Sequence, residues 1–110
     1  MRNNKLYKGS LSTIILKLLE DNERMYGYEI TQKVKDLTEG ALVITEGALY
    51  PSLHKLEASG HLKAEYVEVN NRTRKYYSLT TAGKEETQNK LAELKEFIQQ
   101  MQLILKPKTA

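Results

Sequence analysis

The chain has 110 residues and a formal net charge of +3, and 40% of its residues are hydrophobic, which suits one small globular domain with at most one appended element. The absence of cysteine excludes a disulfide framework, a zinc–thiolate site and a thiol nucleophile. The polar start MRNNKLYKGS does not resemble a signal peptide, and no apolar run approaches the about 20 residues that span a bilayer, so we expect a cytoplasmic protein without a membrane partner.

Two amphipathic helices are predicted in the first third of the chain. The first is capped by Ser10 or Ser12, and its apolar positions follow the spacing of one helix face: Leu11, Ile14, Ile15, Leu18 and Leu19. The second presents Ile30, Val34 and Leu37 and ends at Gly40. Gly27 lies at its entry, where a residue without Cβ permits a tight turn or a close approach by another chain.

A third helix contains a proline in its first half. After a short apolar run at residues 41–44, which we expect to be extended, Thr45 is predicted to cap a helix that ends near Ser59 and Gly60. On a helical wheel its leucines face the core, and the opposite side carries Gly47, Tyr50, Pro51, His54 and Ala58, with Lys55 at its margin.

That outward face carries fewer charged residues than a helix face that contacts only water. A purely solvated helix face usually carries several charged residues. Tyr50 and Lys55 can instead donate hydrogen bonds to phosphate oxygens, and His54 can meet a base edge, beside a flat surface of glycine and proline. This pattern favours a helix that enters a DNA groove; the alternative is a kinked surface helix without a partner.

A basic β-hairpin follows. Two alternating segments, HLKAEYVEV and TRKYYSL, flank an asparagine-rich turn, and residues 62–84 hold five basic side chains against two acidic ones. Focused positive charge attracts a polyanion more strongly than the same charge spread evenly. Tyr76 and Tyr77 must face opposite sides of their strand, so one of them is expected in the core. Arg74 shares a face with Tyr76, so its side chain either contacts DNA or lies over that ring.

The last predicted helix begins at Thr80 or Thr81 and runs to about Lys106, before Pro107. Its apolar residues form a heptad seam, widened by Phe97 and Ile104, that predicts a dimerisation surface: Leu91, Leu94, Ile98, Met101 and Leu105. The alternative is that this helix covers only its own domain.

This order of elements predicts an α+β, mainly α fold. Three helices followed by a basic hairpin make a winged helix-turn-helix with a two-stranded β wing and a long C-terminal helix. We expect a DNA-binding domain over residues 1–80 and a dimerisation helix over residues 81–110.

Four segments of the chain resemble the PadR family of bacterial transcriptional regulators. They are KGSLSTIILKLLE, MYGYEI, TEGALYPSLHKLEASGHL and RKYYSLTTAGK, which together span roughly residues 8–84. The resemblance implies a dimeric winged-helix repressor that binds double-stranded DNA at a pseudo-palindromic operator. By the same resemblance, the DNA-contacting positions are Tyr28, Thr45, Gly47, Tyr50, Pro51, His54 and Lys55, with Asn71, Arg72, Arg74 and Lys75 in the wing.

The resemblance also implies regulation by a small aromatic compound. The length of the chain is similar to that of short members, in which the last helix forms the dimer and some dimers bind flat compounds in a central pore. This sequence has no tryptophan on which such a compound could stack. We expect any effector cavity to be lined by Tyr7, Ile15, Phe97 and Met101, where helix one meets the long helices of the dimer.

Catalysis, a cofactor and a bound metal are not expected. The two histidines, His54 and His61, are separated by the helix end at Gly60, and Glu57 is the only carboxylate beside them. No phosphate-binding glycine loop, pair of carboxylates or Ser–His–Asp arrangement is evident. The second hypothesis for function is a protein–protein adaptor in which the third helix and the wing dock an acidic partner without an operator.

Overall fold

The first helix lies at the centre of the molecule in the computed structural model, which describes residues 5–108. A 3₁₀ helix (Lys5–Ser10) leads into α1 (Leu11–Asp21), and Ser10 is the N-cap residue. Nearly half of the circumference of α1 consists of buried apolar residues, since other elements pack against it: Leu11, Ile15, Leu16, Leu18 and Leu19. The prediction of this helix is confirmed, although the Ser10 side chain makes no capping hydrogen bond.

Helices α2 (Gly27–Leu37) and α3 (Glu46–Ala58) form the helix-turn-helix pair. Ile30 and Val34 bury one side of α2, but Leu37, predicted on the same face, is 66% exposed at the last residue of the helix. Residues 41–44 form no strand, although Ile44 is buried. Thr45 caps α3 as predicted, its Oγ1 accepting a hydrogen bond from the Ala48 N–H at 3.3 Å.

The hairpin belongs to a three-stranded antiparallel sheet. Strand β2 (Leu62–Val69) pairs with β3 (Arg72–Leu79), and the turn residues Asn70 and Asn71 have φ values of 50° and 63°, as a tight type I′ turn requires. The unpredicted strand β1 (Met25–Tyr26) pairs with the other side of β3, so the strand order is β1-β3-β2. The expectation of a two-stranded wing therefore missed a two-residue strand, which is too short to show alternation.

The core joins one face of the sheet to the helices. Tyr77 and Leu79 of β3, Leu62 of β2 and Met25 of β1 pack with buried leucines and isoleucines of α1, α2 and α3. Tyr76 faces the other side of the sheet and is half-buried, so the prediction that one of the adjacent tyrosines lies in the core is confirmed. The winged helix-turn-helix expected from the order of elements is the observed fold.

Helix α4 (Thr81–Leu105) packs on α1 with its first half and extends beyond the domain with its second. Thr80 fixes its start: its Oγ1 accepts from the Gly83 N–H at 2.9 Å and donates to the Gly60 carbonyl at 2.6 Å. The radius of gyration, 15.9 Å, exceeds the about 13 Å expected of a compact chain of this length. Across the described residues, no helix is both long enough and apolar enough to cross a membrane.

Candidate nucleic-acid interface

The outward face of α3 is exposed and nearly flat. Leu49 and Leu53 are fully buried on the inner side, which leaves Gly47, Pro51 and His54 on the surface. Pro51 removes one backbone donor from the helix and crowds the Gly47 carbonyl, yet its ring lies on the exposed side and disturbs no core contact. A Cβ placed on Gly47 would meet no atom within 4 Å, so packing within the chain does not require glycine at this position.

Tyr50 is held against the start of α2. Its ring and hydroxyl lie so close to Gly27 that a Cβ on that glycine would collide with them. The side chain nevertheless remains 37% exposed, so it is anchored at its edge and accessible on the outward face of α3. Gly27 was expected to permit either a tight turn or a close approach by another chain. The structure shows a close approach, but the approaching side chain belongs to the same chain.

The tip of the wing is accessible to a partner. Asn70, Asn71, Arg72 and Thr73 are all exposed, and the paired strands carry them away from the core. Within the described part of the chain, the Arg72 guanidinium makes no ion pair, so its charge is available to an anion in solution.

The outer face of the sheet carries a ladder of alternating cations and rings. Arg24 lies over the Tyr76 ring, 4.6 Å from its centroid, and Arg74 lies over the Tyr26 ring at 4.5 Å. The two rings meet edge to face with their centroids 5.3 Å apart. Arg24 also donates to Glu65 at 2.7 Å, a hydrogen bond that raises the pKa of Arg24. One alternative was that the Arg74 side chain lies over the Tyr76 ring. It does lie over a ring, but that ring belongs to Tyr26 of the neighbouring strand.

Lys75 points toward α3. Its Nζ donates to the Glu57 Oε1 at 3.2 Å and lies 5.2 Å from the centroid of the Tyr77 ring. This hydrogen bond raises the pKa of Lys75, and burial raises the pKa of Tyr77. Because Glu57 partly neutralises its ammonium group, Lys75 differs from Arg72 and Arg74, which form no ion pair within residues 5–108.

The two remaining positions taken from the family resemblance lie at helix starts. Tyr28 is 58% exposed in the first turn of α2, which argues against packing under α3. Thr45 is exposed at the N-cap of α3, where its hydroxyl oxygen already accepts a backbone hydrogen bond and its proton remains free to donate.

Two grooves border the outward face of α3. The first, of about 300 Å³, lies on the wing side and is lined by Tyr26, Tyr50, His54 and Arg74, among others. The second, of about 310 Å³, lies on the other side, where Lys8 of the 3₁₀ helix faces Gly47, Pro51 and Lys55. Lys8 was missed in the sequence because positive and negative charges balance over the first 61 residues, so no excess of basic residues marks this segment.

The residues expected to line an effector cavity separate into two groups. Tyr7 and Ile15 are 7% and 0% exposed and belong to the hydrophobic core, because α1 is surrounded by other elements of its own chain. Phe97 and Met101 lie on the free half of α4 and line a shallow groove with Ile98 and Leu105. The groove contains neither Tyr7 nor Ile15, so the single chain does not form the expected four-residue cavity.

No three His, Asp or Glu side chains are grouped for metal binding in residues 5–108. His54 is exposed on α3, and His61 follows the end of that helix, where its carbonyl accepts a hydrogen bond from the Thr80 N–H.

Comparison with known proteins places these features in one family. The model described as "Transcriptional regulator PadR-like family" matches residues 15–89, which include most of α1, the helix-turn-helix pair, the whole sheet and the start of α4. The transcriptional regulator Rv3488 of Mycobacterium tuberculosis is 40% identical over 70 residues, which cover 64% of this chain and 62% of that protein.

Solved structures agree with this match. A transcriptional regulator from Clostridium thermocellum, Cth-833, is similar with a TM-score of 0.86 and 31% identity, covering 94% of this chain and 100% of the other. A PadR-like transcription factor from Bacteroides fragilis is similar with a TM-score of 0.73 and 35% identity, covering 91% of this chain and 94% of the other. The likeness extends over α4, which the family model matches only at its beginning.

Proposed function

Because this chain belongs to the PadR-like family of DNA-binding transcriptional regulators, which are not enzymes, we propose that it acts as a repressor. In this proposal a homodimer binds a pseudo-palindromic operator in the cytoplasm, and a small aromatic ligand changes its affinity for that operator. A two-fold symmetric dimer matches a two-fold symmetric DNA site, so each α3 would read one half-site in the major groove.

The outward face of α3 carries the proposal. It combines a flat Gly47–Pro51 surface with a phenol, an imidazole and an ammonium group, a set that suits close contact with a sugar–phosphate backbone and with base edges. The free guanidinium of Arg72 and the asparagine turn extend the same surface. The DNA-contacting residues proposed are Tyr28, Thr45, Gly47, Tyr50, Pro51, His54, Lys55, Asn71, Arg72, Arg74 and Lys75.

A gel-shift titration over the intergenic DNA beside the gene, repeated at several salt concentrations, tests DNA binding. We expect affinity to fall steeply with salt, because each neutralised phosphate releases condensed counterions. Arg72→Ala is expected to weaken binding to all sequences alike, whereas His54→Ala is expected to alter the preference among sequences. Absence of binding at low salt to every nearby intergenic duplex would argue for the adaptor hypothesis instead.

The free half of α4 supports the homodimer. Phe97, Ile98 and Leu105 are 55%, 46% and 71% exposed. Ile98 and Leu105 belong to the heptad seam that Phe97 widens, and the earlier seam residues Leu91 and Leu94 are partly buried. A continuous exposed apolar stripe of this kind usually marks an interface. Residues 81–110 would thus have a separate role in assembly, although the first turns of α4 pack in the core of the winged helix.

Ligand control would act at the dimer centre. Phe97 and Met101 are available to line a cavity there, while Tyr7 and Ile15 would support its wall from within the core. A thermal-shift screen of aromatic acids and planar cationic compounds tests this part. A rise in melting temperature accompanied by loss of the gel shift is expected of an effector, and a flat profile would argue against ligand control.

A further inference from the structure

The groove on the side of α3 away from the wing has the chemistry of a nucleic-acid backbone site. Its lining combines the apolar Leu11 and Pro51 with two basic residues, Lys8 and Lys55, and the hydroxyl-bearing Ser52. A deoxyribose ring can lie on such apolar side chains while its phosphates meet the cations and a hydroxyl. We refer to it below as the Lys8 groove.

The cations of the Lys8 groove are unpaired. In the part of the chain that the structure describes, neither Lys8 nor Lys55 forms an ion pair, and no carboxylate lines the groove. Lys17, by contrast, is paired with Glu20 and Asp21. The larger groove beside Arg24, of about 660 Å³, is lined by three glutamates as well as three basic residues. The Lys8 groove therefore favours an anion.

The position of the groove indicates which part of a duplex it would meet. An α-helix with its side chains is about 10–12 Å across, close to the width of the major groove of B-DNA. A helix that fills the groove has one phosphate backbone on each side. The groove on the wing side of α3 is lined by His54 and Arg74, and the groove on the other side is lined by Lys8 and Lys55.

We infer that the Lys8 groove binds the deoxyribose–phosphate backbone of the strand across the major groove from the wing. This inference rests on the proposed function, because it needs α3 in the major groove. It adds Lys8 and Ser52 to the interface and assigns Lys55 to a backbone contact. Lys8 fixes the register of the duplex through a phosphate and carries no sequence preference of its own.

Salt-dependent binding of Lys8→Gln tests the inference. The probe is a fluorescein-labelled duplex of about 30 base pairs, or three helical turns, selected by the wild-type protein from random sequences. Each phosphate contact contributes about 0.9 to the slope of log affinity against log salt. Lys8→Gln is expected to flatten the slope by about that amount per subunit and to weaken binding several-fold at low salt. Lys8→Arg is expected to restore both.

Lys17→Gln is the matched control, because it removes the same charge from a paired lysine outside the groove. It is expected to leave the slope unchanged, and thermal unfolding of all three variants checks that they fold. A Lys8→Gln protein that binds with wild-type affinity and slope would overturn the inference while leaving the proposed function intact. A wild-type protein that selects no duplex would overturn both.

Ethylation interference provides the geometric test. On the same duplex, some phosphates should no longer interfere with binding when they are ethylated in the Lys8→Gln protein, and others in the Arg72→Gln protein. These two sets should lie on opposite strands, across one major groove from each other. If both variants lose the same phosphates, the Lys8 groove does not bind the strand that we infer.

Discussion

At the scale of single residues, two glycines near the outward face of α3 differ in their surroundings. At Gly27 the Tyr50 ring occupies the space that a side chain would need. Gly47 has open space around it, so packing within the chain does not require glycine there. In the proposed function, this open space is where DNA approaches the backbone of α3.

Gly47→Ala is expected to weaken DNA binding without lowering the stability of the fold. Alanine favours a helix by up to about 1 kcal/mol over glycine, so the free energy of unfolding should stay equal or rise. Its methyl group would stand on the flat face and reduce DNA affinity by about tenfold, because overpacking a close contact costs about 1–3 kcal/mol. Urea denaturation and fluorescence anisotropy measure the two effects. Unchanged affinity would show that DNA does not approach the backbone at residue 47.

Gly27→Ala is expected to destabilise the fold by about 1–3 kcal/mol, because the new Cβ collides with Tyr50. Gly9→Ala is the control, since a Cβ there meets nothing within 4 Å. A double-mutant cycle with Tyr50→Ala locates the cause. If the cost of Gly27→Ala is as large in the Tyr50→Ala background as in the wild type, the ring is not its source.

At the scale of elements, a few contacts between residues far apart in the chain orient the wing and α4 relative to the helix-turn-helix. Strand β1 joins the wing to the start of α2, and the Arg24–Tyr76–Tyr26–Arg74 ladder covers this junction. Lys75 ties the opposite face of the wing to α3 through Glu57. On the other side of the hairpin, Thr80 links the start of α4 to the loop after α3. The wing is therefore held from both faces.

Tyr26→Leu is expected to loosen the wing without unfolding the helices. The substitution keeps an apolar side chain but removes one cation–π contact and one edge-to-face pair, each worth about 0.5–1.5 kcal/mol. Hydrogen exchange should accelerate at amides of β1 and the paired part of β3 and stay slow in α1. Equal protection of β3 in both proteins would show that the ladder does not hold the wing.

Thr80→Ala is expected to lower the free energy of unfolding by about 1–2 kcal/mol, because it removes the N-cap of α4 and the hydrogen bond to the Gly60 carbonyl. Thr80→Ser retains the hydroxyl and should stay close to the wild type. Chemical denaturation compares the three proteins. A serine variant as unstable as the alanine variant would attribute the loss to the methyl group and not to the cap.

At the scale of the whole molecule, the elongated shape reflects a helix longer than the domain beneath it. The dimensions are 65 × 34 × 21 Å, and an α-helix of 25 residues is about 37 Å long. The first half of α4 buries Gly83 and Thr87 against the domain, whereas the last turns expose Leu103, Ile104 and Leu105. A second copy is the partner that the proposed repressor supplies for this surface.

Ile98→Glu is expected to convert the proposed dimer into a monomer, because each chain would bury an unpaired carboxylate in the apolar seam. Gln100→Glu, on the opposite side of α4, is the control with the same charge. Sedimentation equilibrium measures the mass, and circular dichroism checks the helix content. A wild-type protein that sediments as a monomer at micromolar concentration would contradict the assembly on which the operator model depends.

The helices and the hairpin were predictable from the sequence because their signals are local. Leucine and isoleucine spacing predicted α1 and α3, Thr45 marked the start of α3, and two alternating segments around Asn70 and Asn71 predicted the wing. The outward placement of Tyr50 and His54 followed from the buried leucines, since the period of a helix assigns both faces together.

Only the tertiary structure decided which distant residues meet. The pairing of Met25 with Tyr77, the contact of Tyr50 with Gly27 and the stacking of Arg74 on Tyr26 join segments more than 20 residues apart. The groove that Lys8 and Lys55 both line also joins distant segments. These contacts depend on how the elements pack, and no period or cap within one element encodes its neighbour. The sequence therefore determined the elements and the outward face of α3, and the tertiary structure decided what supports that face and which cations border it.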